Sequence, residues 1–260
     1  MKAEGRTFLI SGGASGLGKA CAEALVRRGA NVAILDYNSD NGESAAAELG
    51  ASTKFFRCDV SQTASIAEAV KAASQWARDA KKPLGGVIPA AGISLPGTML
   101  DRNNSALSLD SVDLVLNINL RGTIDLVRQA VEQIAKVEAD ADGERGVVVM
   151  VSSSAAFDGQ KGQVSYAASK GAVASLTLPM ARDLARHGIR CVTVAPSLFD
   201  TGMTSLMSDK VRSSLEATFE FPKRAGRPSE FAQLALEIIQ NSMLNGTVIR
   251  IDGGSRPSKL

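Results

Sequence analysis

Tyr166 and Lys170, in the run Ser165-Tyr-Ala-Ala-Ser-Lys170, are the residue pair in this chain best suited to moving a proton. On a helix, a spacing of four puts both side chains on one face, about one turn apart. An ammonium beside a phenol favours the phenolate, so a group that ordinarily titrates near ~10 is drawn toward neutrality. A phenol tuned in this way can give and take a proton at physiological pH. The spacing alone is common in helix-rich chains. Two companions raise its weight: a glycine-rich turn near the N-terminus, and Ser153, which closes an apolar run upstream of Tyr166.

Elements able to position these residues follow from the apolar pattern. Short apolar runs at 7–10, 31–35, 54–59, 86–90, 146–151, 190–195 and 247–251 read as strands. Continuous runs such as Val147-Val-Val-Met-Val151 suit strands covered on both faces. Amphipathic stretches at 17–28, 42–49, 64–80, 110–137, 164–186 and 228–241 read as helices between them. The alternation predicts an α/β fold, a parallel sheet with right-handed crossovers and helices on both faces. Such sheets place ligands beyond the carboxyl ends of their strands, where every residue singled out here falls. The segments 94–108 and 197–227 break the rhythm; long irregular segments of this kind serve as lids or surface loops.

Ser11-Gly-Gly-Ala-Ser-Gly-Leu-Gly18 joins the first predicted strand to the first helix. Gly12, Gly16 and Gly18 permit a tight turn and a close backbone approach to a pyrophosphate at a helix N-terminus. A glycine turn can also be purely architectural. Asp36 strengthens the nucleotide reading, because it ends the second strand where an acid can accept from ribose hydroxyls. Its carboxylate would repel a 2′-phosphate, and Gly13, Ala14 and Tyr37 supply no cation, which favours NAD over NADP. Asp59-Val60 could flank an adenine; the plainer alternative is a cap for the next helix, for which Ser61 also qualifies.

Composition excludes several classes. The chain has 260 residues, 45% hydrophobic and 22% charged, with a formal charge of +2. That balance suits one soluble α/β domain and leaves no footprint for nucleic acid or an anionic membrane. No apolar run reaches the ~18 residues of a spanning helix, and the first strand is too short for a secretory signal, so a cytoplasmic location is expected. Cys21, Cys58 and Cys191 show neither disulfide nor metal-ligand spacing, so no metal is expected. His187, the one histidine, falls near a helix C-terminus, where a cation complements the dipole.

Gly12, Gly16, Gly18, Asp36, Asn119, Ser153, Tyr166 and Lys170, taken together, resemble the short-chain dehydrogenase/reductase family over essentially the whole chain. The resemblance implies a single Rossmann-type, doubly wound parallel sheet of about seven strands, spanning 1–260 with a substrate lid within 197–227. It implies that Tyr166 exchanges a proton with the substrate oxygen and that Lys170 lowers the tyrosine pKa and holds the nicotinamide ribose. Ser153 would polarise the carbonyl, and Asn119 would keep its helix irregular and bind a relay water. The cofactor NAD would meet Gly12, Ser15, Gly16, Leu17 and Gly18 at the turn, and Asp36, Asp59 and Val60 toward the adenosine. Ala91, Gly92, Tyr166, Lys170, Pro196 and Thr201 would complete its site. Three departures stand out: Pro89 where an asparagine is usual, Ser197 where glycine is commoner, and Ser11 in place of threonine. Pro89 lacks an N–H and removes a contact of the central sheet.

Ala155-Ala-Phe-Asp-Gly-Gln160, Leu178-Pro-Met-Ala-Arg-Asp-Leu184 and Phe221-Pro-Lys-Arg-Ala-Gly226 resemble the type II 3-hydroxyacyl-CoA dehydrogenase branch. That implies oxidation of a short-chain L-3-hydroxyacyl-CoA, with Gln160 joining Ser153 and Tyr166 at the substrate. Lys210, Arg212, Lys223 and Arg224 could meet CoA phosphates or form a solvated face. Leu95, Leu198, Phe199, Met203, Leu206 and Met207 are candidate apolar walls. Alternatives are a hydroxysteroid or other small hydrophobic alcohol, and a catalytically idle NAD-binding scaffold. Small residues on the Tyr166 helix, with the 110–137 helix and the last strand, resemble the family's interfaces and imply a homotetramer.

Overall fold

The computed structural model describes residues 1–202, 204 and 207–256. Seven strands form one sheet in the order β3-β2-β1-β4-β5-β6-β7, and every neighbouring pair is parallel. They are β1 (Thr7–Ser11), β2 (Asn31–Asp36), β3 (Thr53–Arg57), β4 (Leu84–Pro89), β5 (Gly146–Val151), β6 (Ile189–Pro196) and β7 (Val248–Ile251). The helices are α1 (Gly16–Val26), α2 (Ser39–Leu49), α3 (Thr63–Asp79), α4 (Leu109–Leu116), α5 (Gly122–Ile134), α6 (Val164–Ala185), α7 (Asp209–Glu216) and α8 (Pro228–Gln240). The expected α/β architecture is present.

Alternation along the central strands assigns the two faces. Val147, Val149 and Val151 join Phe8, Ile10, Leu25 and Phe231 in a core under α1 and α8. Val148 and Met150 join Leu9, Ile66, Leu126 and Val173 in a second core under α3, α5 and α6. Strands buried on both faces therefore carry apolar residues without a polar interval. Among the described residues, no helix is long and apolar enough to cross a membrane.

Several elements differ from their sequence-based outline. The long helix expected over 110–137 is interrupted by a π-helical segment, Asn117–Arg121, between α4 and α5. The helix α2 begins at Ser39, because Asn38 caps it by accepting from the Asn41 N–H at 3.0 Å. Helix α7 lies inside the segment read as irregular, capped by Ser208. Only Val211 and Leu215 are apolar in it, and Leu215 alone packs against Leu198, Phe219 and Ala225, too short a pattern to mark a helix. The 94–108 segment also has form: Leu100 bridges Ala106, and the Asp101 carboxylate accepts from the N–H groups of Asn103 and Ser105.

Pro89 falls where the sheet can accept it. Ala90 donates its N–H toward β1, to the Ser11 carbonyl at 3.1 Å, so its neighbour at 89 faces β5. The β4–β5 ladder has already stopped at Val87 and Val148, and no partner there is deprived. On the β1 side the Ser11 hydroxyl ties the two strand ends together, its Oγ accepting from the Ala91 N–H at 3.2 Å.

One buried cation ties the far edge together. The Arg190 guanidinium, 8% exposed, donates to Glu144 at 2.8 Å and to the carbonyls of Ile238, Leu244 and Ile239. It thereby anchors the end of α8 to β6. Removing one partner of such a pair leaves a buried charge uncompensated, at a cost of ~3–5 kcal/mol. Arg190→Met should lower the Tm by about 10 °C in a thermal unfolding scan.

Candidate active site

The turn between β1 and α1 leaves no room for a side chain at Gly12 or Gly18. Gly12 has φ +63°, and a Cβ there would lie 2.9 Å from the Ala91 backbone nitrogen. A Cβ on Gly18 would fall 2.2 Å from the Gly12 carbonyl oxygen. Gly16 lies against Thr201, with 3.4 Å between a Cβ there and the threonine Cβ. Ser15 is the N-cap of α1, yet its side chain makes no capping hydrogen bond. The helix end beside Leu17 thus offers donors within a backbone cradle, the arrangement that receives a pyrophosphate.

Asp36 closes this cradle at the end of β2. One carboxylate oxygen accepts from the Ala14 N–H at 3.2 Å and the other from the Asn38 N–H at 3.1 Å. Arg57, missed in the sequence reading, is the register partner of Asp36 on β3. Its guanidinium lies 5.1 Å from the centroid of the exposed Tyr37 ring. The pairing of β2 with β3, not the sequence neighbourhood of Asp36, brings this cation to the Asp36 end of the site. Asp59 is turned into a local bend, accepting from both the N–H and the hydroxyl of Ser61. The adjoining Val60 carbonyl abuts Gly122, where a Cβ would lie 2.6 Å away.

At the other end, β5 runs into Ser152 and Ser153, and α6 carries Tyr166 and Lys170 back over it. Ser153 Oγ accepts from the Ala155 N–H at 3.1 Å and caps a single 3-10 turn. Lys170 is buried, its ammonium donating to the Val151 carbonyl at 2.9 Å and lying 5.8 Å from the Tyr166 ring centroid. Ser152 Oγ donates to the Lys170 carbonyl at 2.7 Å, which fixes the helix above the strand end.

Asn119, fully buried in the π-helical segment, grips the chain after β4. Its Oδ1 accepts from the Ile93 N–H at 2.8 Å, and its Nδ2 donates to the Ile93 carbonyl at 2.9 Å and to Ser169 Oγ at 3.1 Å. Ser169 in turn donates to the Tyr166 carbonyl at 2.7 Å. Gly92 sits between the two polar groups, since a Cβ there would be 3.1 Å from Asn119 Oδ1 and 3.6 Å from Lys170 Nζ. The irregular helix expected of Asn119 is therefore present, with Ile93 and Ser169 as partners that motif reading missed.

The electrostatics depart from expectation. Burial pushes the Tyr166 phenol above its ordinary value, and a hydrogen bond with Ser153 opposes that rise. Burial also pulls Lys170 down to about 8. The amine is directed at the Val151 carbonyl, so desolvation outweighs its pull on the phenol. Burial raises Cys21, Cys58 and Cys191 to about 12, which leaves them inert thiols.

Other expected residues sort differently. Thr201 stands beside Gly16, with its N–H donating to Thr204 Oγ1 at 3.0 Å. Pro196 ends β6 in register with Ile251, and the Ser197 N–H continues that ladder to the Ile251 carbonyl at 3.2 Å. Leu198 and Phe199 are not pocket walls. Leu198 packs with Phe219 and Ala225, and Phe199 makes a T-shaped contact with Phe231 inside the core. A bridge between Phe199 and Gly226 turns both inward. Met203 and Leu206 lie outside the described residues. Arg212 pairs with Asp200 and Glu216, and Arg224 with Glu230, so both guanidinium groups are engaged within the protein. Gln160 lies in the turn before α6, its N–H donating to Gln163 Oε1, where Gly97 bridges Gln163.

Lys170 generates a prediction. A folded-state value near 8, below the ordinary 10.5, means that protonation costs stability that accrues as pH falls from 10.5 to 8 and is fully present below 8. Lys170→Met removes that cost along with one hydrogen bond, a net gain of about 2 kcal/mol. The variant should therefore melt about 5 °C higher than wild type at pH 7. Its advantage should shrink as pH rises from 8 toward 10.5, which melting curves across that window will read.

Comparison with known proteins gives a consistent account. The family described as short chain dehydrogenase matches residues 6–212. The chain is 42% identical over 254 residues to 3-hydroxyacyl-CoA dehydrogenase type-2 of Bos taurus, covering 97% of this chain and 96% of that one. Its counterpart in Drosophila melanogaster is 44% identical over 249 residues, covering 95% and 96%. The crystal structure of 3-hydroxyacyl-CoA dehydrogenase type-2 from Mycobacterium avium superposes with a TM-score of 0.92 at 34% identity, covering 98% and 97%. The 3-ketoacyl-(acyl-carrier-protein) reductase from Brucella melitensis, complexed with NADH, gives 0.83 at 27% identity, covering 97% and 99%.

Proposed function

The chain belongs to the short chain dehydrogenase family and is an oxidoreductase; from that premise we propose that it interconverts L-3-hydroxyacyl-CoA and 3-ketoacyl-CoA with NAD. The observation that carries the reading is the convergence of Ser153, Tyr166 and Lys170 at the end of β5, on the same carboxyl edge of the sheet as the glycine turn after β1. When bound, the nicotinamide supplies or accepts the hydride. Tyr166 exchanges the proton with the substrate oxygen, and the Ser153 hydroxyl orients that oxygen against the phenol. Lys170, held by the Val151 carbonyl with its amine 5.8 Å from the Tyr166 ring centroid, is the proposed contact to the cofactor ribose. Asn119 keeps Ile93 and the Tyr166 turn in register and serves as a positioning residue.

Asp36 supports NAD over NADP. Its carboxylate, fixed between two backbone N–H groups, suits ribose hydroxyls and opposes a phosphate. Gln160, in the turn before α6, is the proposed contact to the acyl thioester, and the 197–227 segment the proposed lid. The names of the relatives support the acyl-CoA class. Exposed Leu109, Leu114 and Leu178 on α4 and α6 support a homotetramer as the working assembly.

Reduction of acetoacetyl-CoA by NADH tests this reading. Tyr166→Phe should lower that rate about 10²–10⁴-fold while leaving NADH binding within twofold of wild type. A wild-type protein that reduces a ketosteroid and leaves acetoacetyl-CoA untouched would overturn the substrate class. Asp36→Ser should raise kcat/KM for NADP at least ~tenfold, because it removes the repelling charge and leaves Arg57 on the paired strand to meet a 2′-phosphate. An unchanged NAD-to-NADP ratio would show that Asp36 does not select the cofactor.

A further inference from the structure

A second cavity, of about 510 Å³, lies at the opposite end of the sheet from the site above. Arg6, just ahead of β1, and Pro83 and Leu84, at the start of β4, meet α3 and the end of α5 there. Its volume falls within the ~300–1,000 Å³ range of small-molecule sites.

Two of its lining side chains carry buried donors with nothing to donate to. Among the described residues, Arg6 Nη1 and Ser74 Oγ are the buried side-chain polar atoms without a hydrogen-bond partner. Ser74 is only 3% exposed. A serine within a helix ordinarily donates back to the carbonyl four residues earlier, and this one does not. An unsatisfied buried donor costs ~1–3 kcal/mol, and more when charged. Each of these donors, on residues that line one cavity, suits an oxygen acceptor from outside the chain.

Charge and wall chemistry narrow its class. Arg6, Arg78 and Lys136 line the cavity against the single acid Glu138. Arg78 donates to Gln75 and Lys136 pairs with Glu132, which leaves the Arg6 Nη1 group as the cationic donor in need of a partner. The C-terminal ends of α3 and α5 lie nearby and contribute about half a negative charge each. Glu138, the Glu132 partner of Lys136 and the two helix ends together balance the three cations, so the Arg6 donor, not an excess of charge, points to an anion. Ala77, Leu84 and Val137 supply apolar wall. We infer that this cavity binds a small amphipathic carboxylate, with its oxyanion on Arg6 and Ser74 and its hydrocarbon body against Leu84 and Val137. The site is independent of the reaction assigned above, and neither residue belongs to the machinery of that reaction.

Hexanoate is a suitable probe, titrated into the full-length protein held at saturating NADH while the Tm is followed. Wild type should rise by about 2–4 °C near saturation. Arg6→Gln should abolish the rise and Ser74→Ala should reduce it by at least half, each measured against that variant's own starting Tm. Acetoacetyl-CoA turnover should stay unchanged in both. A rise of equal size in all three proteins would place hexanoate elsewhere and overturn the inference. So would an equal rise with 1-hexanol, which lacks the oxyanion, or no rise in wild type. Should Arg6→Gln fail to fold, Ser74→Ala decides alone: a full wild-type rise in that variant overturns the site.

Discussion

The hydrogen bond from the Lys170 ammonium to the Val151 carbonyl is the contact around which the chemical end of this protein is arranged. A buried ammonium is costly, and burial here pulls the group down to about 8. The carbonyl can receive it because it lies at the very end of β5. Gly92 is a neighbour of the amine, since a Cβ there would lie 3.6 Å from Lys170 Nζ and 3.1 Å from Asn119 Oδ1. Position, not pairing with a carboxylate, keeps this cation in place. That matters for function, because a carboxylate partner would hold the charge and leave less of it for a phenol.

A second constraint acts at the nucleotide end. The oxygen of Gly12 sits where a Cβ on Gly18 would be, and the Ala91 backbone sits where a Cβ on Gly12 would be. Turn, helix and the chain after β4 are therefore in direct backbone contact. Ser11 Oγ reinforces that contact through the Ala91 N–H, and Asp36 through the Ala14 N–H. The glycine turn and the loop carrying Gly92 consequently behave as one unit. Asn119 extends that unit to the Tyr166 turn through Ile93 and Ser169.

Residues whose role depends on local chain geometry are legible in the sequence. The glycine spacing, the acid closing the second strand and the four-residue step from Tyr166 to Lys170 each follow from strand-to-helix or helix periodicity. What sequence reading misses depends on pairing across the fold. Arg57 comes into register with Asp36 only because β3 lies beside β2, and Val151 receives Lys170 only because α6 crosses the end of β5. Leu198 and Phe199 resemble pocket walls in the sequence because they are apolar and follow β6. The bridge from Phe199 to Gly226 turns them into the core instead. Helix α7 is hidden in the sequence because its two apolar residues are too short a pattern to mark a helix. The direction of the phenol's shift is hidden for a related reason: proximity of an amine is visible in a motif, whereas the way it points is not.

Pro89 links these observations. The β5–β6 ladder continues to Val151 and Val194, whereas the β4–β5 ladder ends at Val87 and Val148. The two central strands therefore part before the carboxyl edge. A proline on the β5-facing side of β4 costs little once the strands have separated, and it prevents them from pairing further. Beyond that point Gly92 lies beside Asn119 Oδ1 and the Lys170 amine, which reaches the Val151 carbonyl at the end of β5. The departure from the usual asparagine thus falls where the β4–β5 ladder has already ended.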